Sequence, residues 1–269
     1  MRRRELLLAS AAWAAGNVRA AAREERDVPY GDDPRQRYDV YIPAQPTGPV
    51  ILMVHGGGWR FGDKGSRDVV ENKAAHWLPK GYVFVSANNR LLPTDPMQQA
   101  RDVARALASV QAKAASWGAD PQRVVLMGHS AGAHLVALVT ASPALAREAG
   151  VQPWRGTVAL DSAAMDAEEI MQARHVRLYD NAFGSDPAYW RSVSPLQAVQ
   201  AGGPPLLAVC SSRRATSCGA ARRFAQKANG LGLRTTVLPQ DLSHMEINRD
   251  LGLPGDYTDA VDRWIAALV

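Results

Sequence analysis

Five residues, Gly128-His129-Ser130-Ala131-Gly132, constrain this chain more than any other stretch. An apolar run, Arg123-Val-Val-Leu-Met127, leads into them and reads as a short buried strand. A second apolar run, Ala133–Thr140, follows and reads as a buried helix. Strand, G-x-S-x-G and helix in that order form a nucleophile elbow. The sharp turn holds a serine hydroxyl clear of the sheet, glycines two positions away let strand and helix approach, and the helix N-terminus favours developing negative charge. A chain with this turn is expected to be built on a sheet flanked by helices.

A second motif strengthens the first. Pro49–Val54 is another apolar strand, and it runs into His55-Gly56-Gly57-Gly58-Trp59. Consecutive glycines leave backbone N–H groups uncovered, and such donors stabilise an oxyanion; losing one typically costs about 3–4 kcal/mol of transition-state binding. With these motifs the chain resembles an α/β-hydrolase of the esterase and lipase kind that carries an HGGGW oxyanion loop. The likeness runs from about Arg37 to Val269. It includes Tyr38–Pro43 before the oxyanion strand, Trp59–Lys64 after it, Asn89–Pro93 after the next strand and Asp120–Val124 before the elbow. Within that fold the chain is similar to bifunctional feruloyl and acetylxylan esterases and to kynurenine formamidase-like enzymes. The resemblance implies acyl transfer from Ser130, with oxyanion donors at Gly57, Gly58 and Ala131, and no cofactor or metal.

The rest of the pattern agrees with an α/β class, a mostly parallel central sheet with helices on both faces. Strands are expected at Arg37–Pro43, Pro49–Val54, Tyr82–Ala87, Val124–Met127, Arg155–Leu160, Pro205–Val209 and Arg234–Leu238. Helices are expected at Ser66–Lys80, Met97–Trp117, Gly219–Gly230 and Pro254–Leu268; the second has Ala100, Val103, Ala104, Leu107 and Val110 at helical spacing. Residues 166–200, rich in aromatics, are expected to form a small lid over the site. With 269 residues and no linker or repeat, residues 23–269 are expected to make one domain.

Residues 1–22 read as a secretory signal: a basic start at Arg2-Arg3-Arg4, a short apolar core and small residues near Ala20. Their apolar run is too short to span a bilayer. The expected location is therefore the periplasm or the medium. Much of the net charge of +5 sits in this segment, and the remaining arginines are scattered without interleaved aromatics, which argues against nucleic acid as a partner. Cys210 and Cys218, the two cysteines, are expected to form a disulfide in an exported chain.

A serine needs a base, and His244 follows the last expected strand, where the chain order serine, acid, histidine puts it. His55 belongs to the oxyanion loop, His129 is expected to point away from the site, and His134 to pack within the elbow helix. The acid is the departure. Relatives carry it after the strand that here ends at Val209, but Cys210-Ser-Ser-Arg-Arg-Ala-Thr-Ser-Cys218 holds no carboxylate. Three replacements stand open: Asp161 at the end of the preceding strand, as in some lipases; Asp166 just beyond it; and Asp241 beside the histidine. The expected partner is an ester, small or attached to polysaccharide, with acetyl or feruloyl as the acyl group. A formamidase of the same fold is the nearest alternative. A hydrolase-fold binding protein that has lost catalysis is the alternative of another class, and the missing acid is its support.

Overall fold

The computed structural model describes residues 22–269. Nearly all of the expected signal segment, residues 1–21, lies outside the described residues. The sheet has eight strands: β1 (Arg23–Pro29), β2 (Arg37–Ile42), β3 (Val50–Val54), β4 (Val83–Ala87), β5 (Val124–His129), β6 (Gly156–Leu160), β7 (Leu206–Ser211) and β8 (Thr235–Gln240). Their spatial order is β1-β2-β4-β3-β5-β6-β7-β8. The first two strands pair antiparallel and β2 meets β4 antiparallel; β4 through β8 are all parallel.

Strand side chains alternate between two faces, and both faces are covered. In β3, Val50, Leu52 and Val54 enter one core, and Ile51 and Met53 enter the other. The first core is closed by α2 (Pro96–Lys113) and α3 (Ala131–Ala141), extended by the short α4 (Pro143–Glu148). The second is closed by α1 (Arg67–Trp77), whose Trp77 is fully buried there. Four short helices join β6 to β7: α5 (Ala167–Gln172), α6 (Arg177–Phe183), α7 (Pro187–Ser192) and α8 (Pro195–Ala198). Next come α9 (Ser217–Gly230), α10 (His244–Arg249) and α11 (Asp256–Ala266).

The structure adds three elements to the expected ones. Strand β1 reads Arg-Glu-Glu-Arg-Asp-Val-Pro and is mostly exposed, so neither periodicity nor hydrophobicity marks it; register with β2 makes it a strand. Helices α4 and α10 have six residues each, too short for a periodic signal. The expected helix at Ser66–Lys80 ends at Trp77 and finishes as a 3₁₀ turn through Lys80, where Pro79 ends the α-helical ladder.

Candidate active site

The site lies at the carboxyl ends of the parallel strands, where α/β sheets place their ligands. His129 ends β5 in register with Leu160, the last residue of β6. The next residue on each strand is therefore Ser130 and Asp161. The Ser130 N–H donates to the Leu160 carbonyl (2.9 Å), and the Asp161 N–H donates to the Val209 carbonyl (2.8 Å). Both residues have positive φ, 56° and 57° respectively. This conformation costs roughly 1–3 kcal/mol in a non-glycine residue, and the surrounding structure must hold it. At the elbow, α3 comes so close to β3 that a Cβ on Gly132 would lie 2.4 Å from the His55 carbonyl oxygen.

His244 is the first residue of α10, not part of a loop. Ser243 N-caps that helix and forms a capping box with Glu246, which fixes where the imidazole starts. The Ser130 hydroxyl donates to His244 Nε2 (2.9 Å), and His244 Nδ1 lies 2.6 Å from Asp161 Oδ2. Asp161 is fully buried. Burial alone would raise its pKa. Hydrogen bonds from His244, the Ser217 hydroxyl and the Ser211 N–H, with the Arg214 charge, outweigh burial and hold the carboxyl well below its ordinary range.

The other two candidate acids lie elsewhere. Asp166 caps α5: its Oδ1 accepts the N–H groups of Glu168 and Glu169 and the Ser194 hydroxyl, so the carboxylate is engaged at a helix end and not at His244. Asp241 is exposed and pairs with Arg213 (2.8 Å). It stands three positions before His244 in sequence, but the Ser243 cap turns the chain between them. Cys210 and Cys218 are joined as a disulfide.

His129 does not point away. Its Nε2–H donates to the His244 carbonyl (2.9 Å), and the two rings lie 4.6 Å apart. Burial, helped by the neighbouring His244, pushes His129 down to about 3, so it stands as a neutral donor to the His244 backbone. Its place inside the elbow motif was the available signal, but its direction depends on where α10 docks. His134 is packed as expected: Nδ1 accepts from the Trp59 indole (3.2 Å) and Nε2–H donates to the Val193 carbonyl (2.7 Å). It therefore links the HGGGW loop to the α5–α8 segment. Tyr179 and Phe183 of α6 pack on Trp59.

Gly57 has φ of 119°, and a Cβ there would strike the Phe61 carbonyl at 2.2 Å. Among the described residues, the Gly57 and Gly58 N–H groups donate to no other backbone carbonyl. With Ser130, His129 and His244 they line a cavity of about 380 Å³, whose other walls mix polar Asp63, Ser66, Asp68 and Asn248 with apolar Val69 and Met245. Ala131 is not in that lining; as the first residue of α3 it has an N–H outside the helical ladder. A larger cavity of about 580 Å³, lined by Gln111, Pro121, Trp154 and Arg155, sits before β5 and β6, at the opposite end of the strands from Ser130.

The family described as BD-FAE matches residues 38–213. A probable isoprenylcysteine alpha-carbonyl methylesterase, ICMEL1 of Oryza sativa subsp. japonica, is 37% identical over 42% of this chain and 26% of its own length. Esterase LipQ of Mycobacterium tuberculosis is 29% identical over 71% of this chain and 49% of its own. The chain thus spans about a quarter to a half of these curated relatives. A solved structure, the truncated form of a carbohydrate esterase from gut microbiota, superposes with a TM-score of 0.77 at 15% identity, covering 93% of this chain and 97% of that one. This last likeness is one of fold.

Proposed function

The chain belongs to the BD-FAE family, and from that premise we propose that it is a serine hydrolase of carboxylic esters that works through an acyl-enzyme. The observation that carries the proposal is the unbroken line from Ser130 Oγ through His244 to Asp161, at 2.9 Å and 2.6 Å. His244 Nε2 takes the serine proton as Oγ attacks the ester carbonyl, while Asp161 holds the imidazole with its hydrogen on Nδ1. The N–H groups of Gly57, Gly58 and Ala131 receive the oxyanion. His244 then protonates the leaving alcohol, and water reverses the path to release the acid. Acetyl and feruloyl esters of plant polysaccharide are the proposed substrates, in keeping with the HGGGW resemblance. Export is proposed too, supported by the basic and apolar start of the chain and by the disulfide.

The test compares wild type with Ser130→Ala on p-nitrophenyl acetate, butyrate and octanoate, on an acetylated xylan and on an aryl formamide. Wild type is expected to turn over the acetate fastest, and Ser130→Ala to lose about 10⁶ in kcat, the scale seen when a serine protease loses its nucleophile. A formamide cleaved faster than any ester moves the substrate class to amides. A wild type no faster than Ser130→Ala on all of them leaves a binding protein.

A further inference from the structure

The loop that lacks a carboxylate holds the carboxylate of its neighbour. Ser211, the last residue of β7, donates its N–H to Asp161 Oδ1 (2.7 Å), and the hydroxyl of Ser217, the first residue of α9, donates to the same oxygen. Arg214 Nη1–H donates to Oδ2 (2.6 Å), which also receives His244 Nδ1–H. Two donors on each oxygen saturate a carboxylate that water does not reach. The same loop reaches the base. The Ser211 hydroxyl donates to the Leu242 carbonyl, the Ser212 N–H to the Gln240 carbonyl, and Arg214 Nη1 lies 2.9 Å from His244 Nδ1. The disulfide joins the residue before Ser211 to the residue after Ser217, and Cys210 and Cys218 are both buried.

We infer that this disulfide-closed loop is a clamp that positions the triad, with Arg214 as its positioning residue. The inference rests on the proposed serine-hydrolase reading and adds a part that reading does not contain. The physical need is specific. Asp161 leaves the end of β6 with a positive φ, and its carboxylate has to meet an imidazole 83 residues away. Unclamped, it has other rotamers and a protonated form open to it. Arg214 resists both: its charge favours the ionised carboxylate, and its hydrogen bond fixes the rotamer that faces Nδ1. Arg214 also lies within reach of Nδ1 itself. A carboxylate held at 2.6 Å is the stronger acceptor, so the Arg214 hydrogen goes to Oδ2 and the imidazole hydrogen stays on Nδ1, leaving Nε2 free to accept from Ser130. The disulfide keeps the two serines at the spacing Oδ1 requires.

The clamp acts through Asp161, so its effect must vanish with the carboxylate. The experiment is a double-mutant cycle of Arg214→Ala and Asp161→Asn, read as the rate at which a fluorophosphonate labels Ser130, followed by intact mass, with the melting temperature measured alongside. This readout needs no natural substrate. Arg214→Ala is expected to slow labelling roughly tenfold to a hundredfold, but by no more than about twofold in the Asp161→Asn background, the non-additivity of groups acting as one unit. Cys210→Ala with Cys218→Ala should show the same dependence on Asp161 at about a tenfold effect. Equal slowing by Arg214→Ala in both backgrounds, or labelling at the wild-type rate, overturns the clamp and leaves the serine-hydrolase reading standing. A wild type that labels no faster than Ser130→Ala overturns both.

Discussion

Two ionisable side chains are sealed on either side of the turn that carries His244, and burial disfavours the charged form of both. Asp161, at the end of β6, receives four hydrogen-bond donors and the Arg214 charge. These partners keep it ionised despite full burial. Lys73, inside α1, is equally inaccessible but donates only to the backbone carbonyls of Asp68 and Asn248. Among the described residues no carboxylate pairs with its ammonium; burial outweighs the charges of Asp68 and Asp250 and lowers it from 10.5 to about 7. Beside it, Asn248 Oδ1 is buried with no partner among the described residues. The difference shows that enclosure alone does not set a charge state; what sets it is whether the enclosing loop brings opposite charge and enough donors. The triad side of the turn is built to hold a charge, and the α1 side is built to shed one.

Removing the charge from the triad side should have the largest effect. Asp161→Asn keeps the shape but loses the anion that fixes the His244 tautomer, and kcat for p-nitrophenyl acetate is expected to fall by about 10⁴ with KM little changed. If the loss stays within tenfold, the well-clamped carboxylate is structural and the comparison breaks. Acid unfolding checks the same group differently. Its folded pKa is depressed, so the stability it contributes is present above its ordinary value of 3.8 and drains as pH falls below it. Asp161→Asn should flatten that acid limb in urea titrations.

The Lys73 side predicts a slope of the same sign in a different pH window. Its folded pKa lies below the unfolded value, so between about 7 and 10.5 the unfolded chain binds the extra proton and stability rises with pH. The rise is at most about 1.4 kcal/mol per pH unit for one proton. Urea unfolding between pH 7 and 9 reads it, and Lys73→Met is expected to remove this contribution. An unchanged slope in Lys73→Met would show that the ammonium stays charged where it lies. The smallest effect belongs to Asp241. It is exposed and, among the described residues, paired only with Arg213, so Asp241→Asn should leave kcat within about twofold of wild type. A loss approaching that of Asp161→Asn would return it to candidacy as the acid.

Much of this was legible in the residues because it is local. The elbow at Gly128–Gly132, the glycine loop at Gly56–Gly58 and the strands beside them are each a few consecutive residues whose backbone demands show in their identities. The α/β class followed from alternating apolar runs, and the BD-FAE match and the eight-stranded sheet agree with it. His244 was marked as the candidate base by its rank in the chain order, and the structure sets it between Ser130 and Asp161; the α10 start on which it sits was not marked. Strand β1 was invisible because its charged sequence becomes a strand only by pairing with β2.

The choice among three carboxylates was not local. Asp166 and Asp241 are as close to their motifs in sequence as Asp161 is, and only the register of β5, β6 and β7 puts Asp161 beside the base. The same holds for His129, whose ring direction depends on the docking of α10, and for Arg214, whose partner is 53 residues away, just past the end of β6. By itself the sequence determined the fold class and marked the candidate nucleophile and the candidate oxyanion loop, since each is written in short-range backbone geometry. The tertiary structure alone decided which acid meets the base and what holds it there, because hydrogen bonds form across distances in space that sequence separation does not measure.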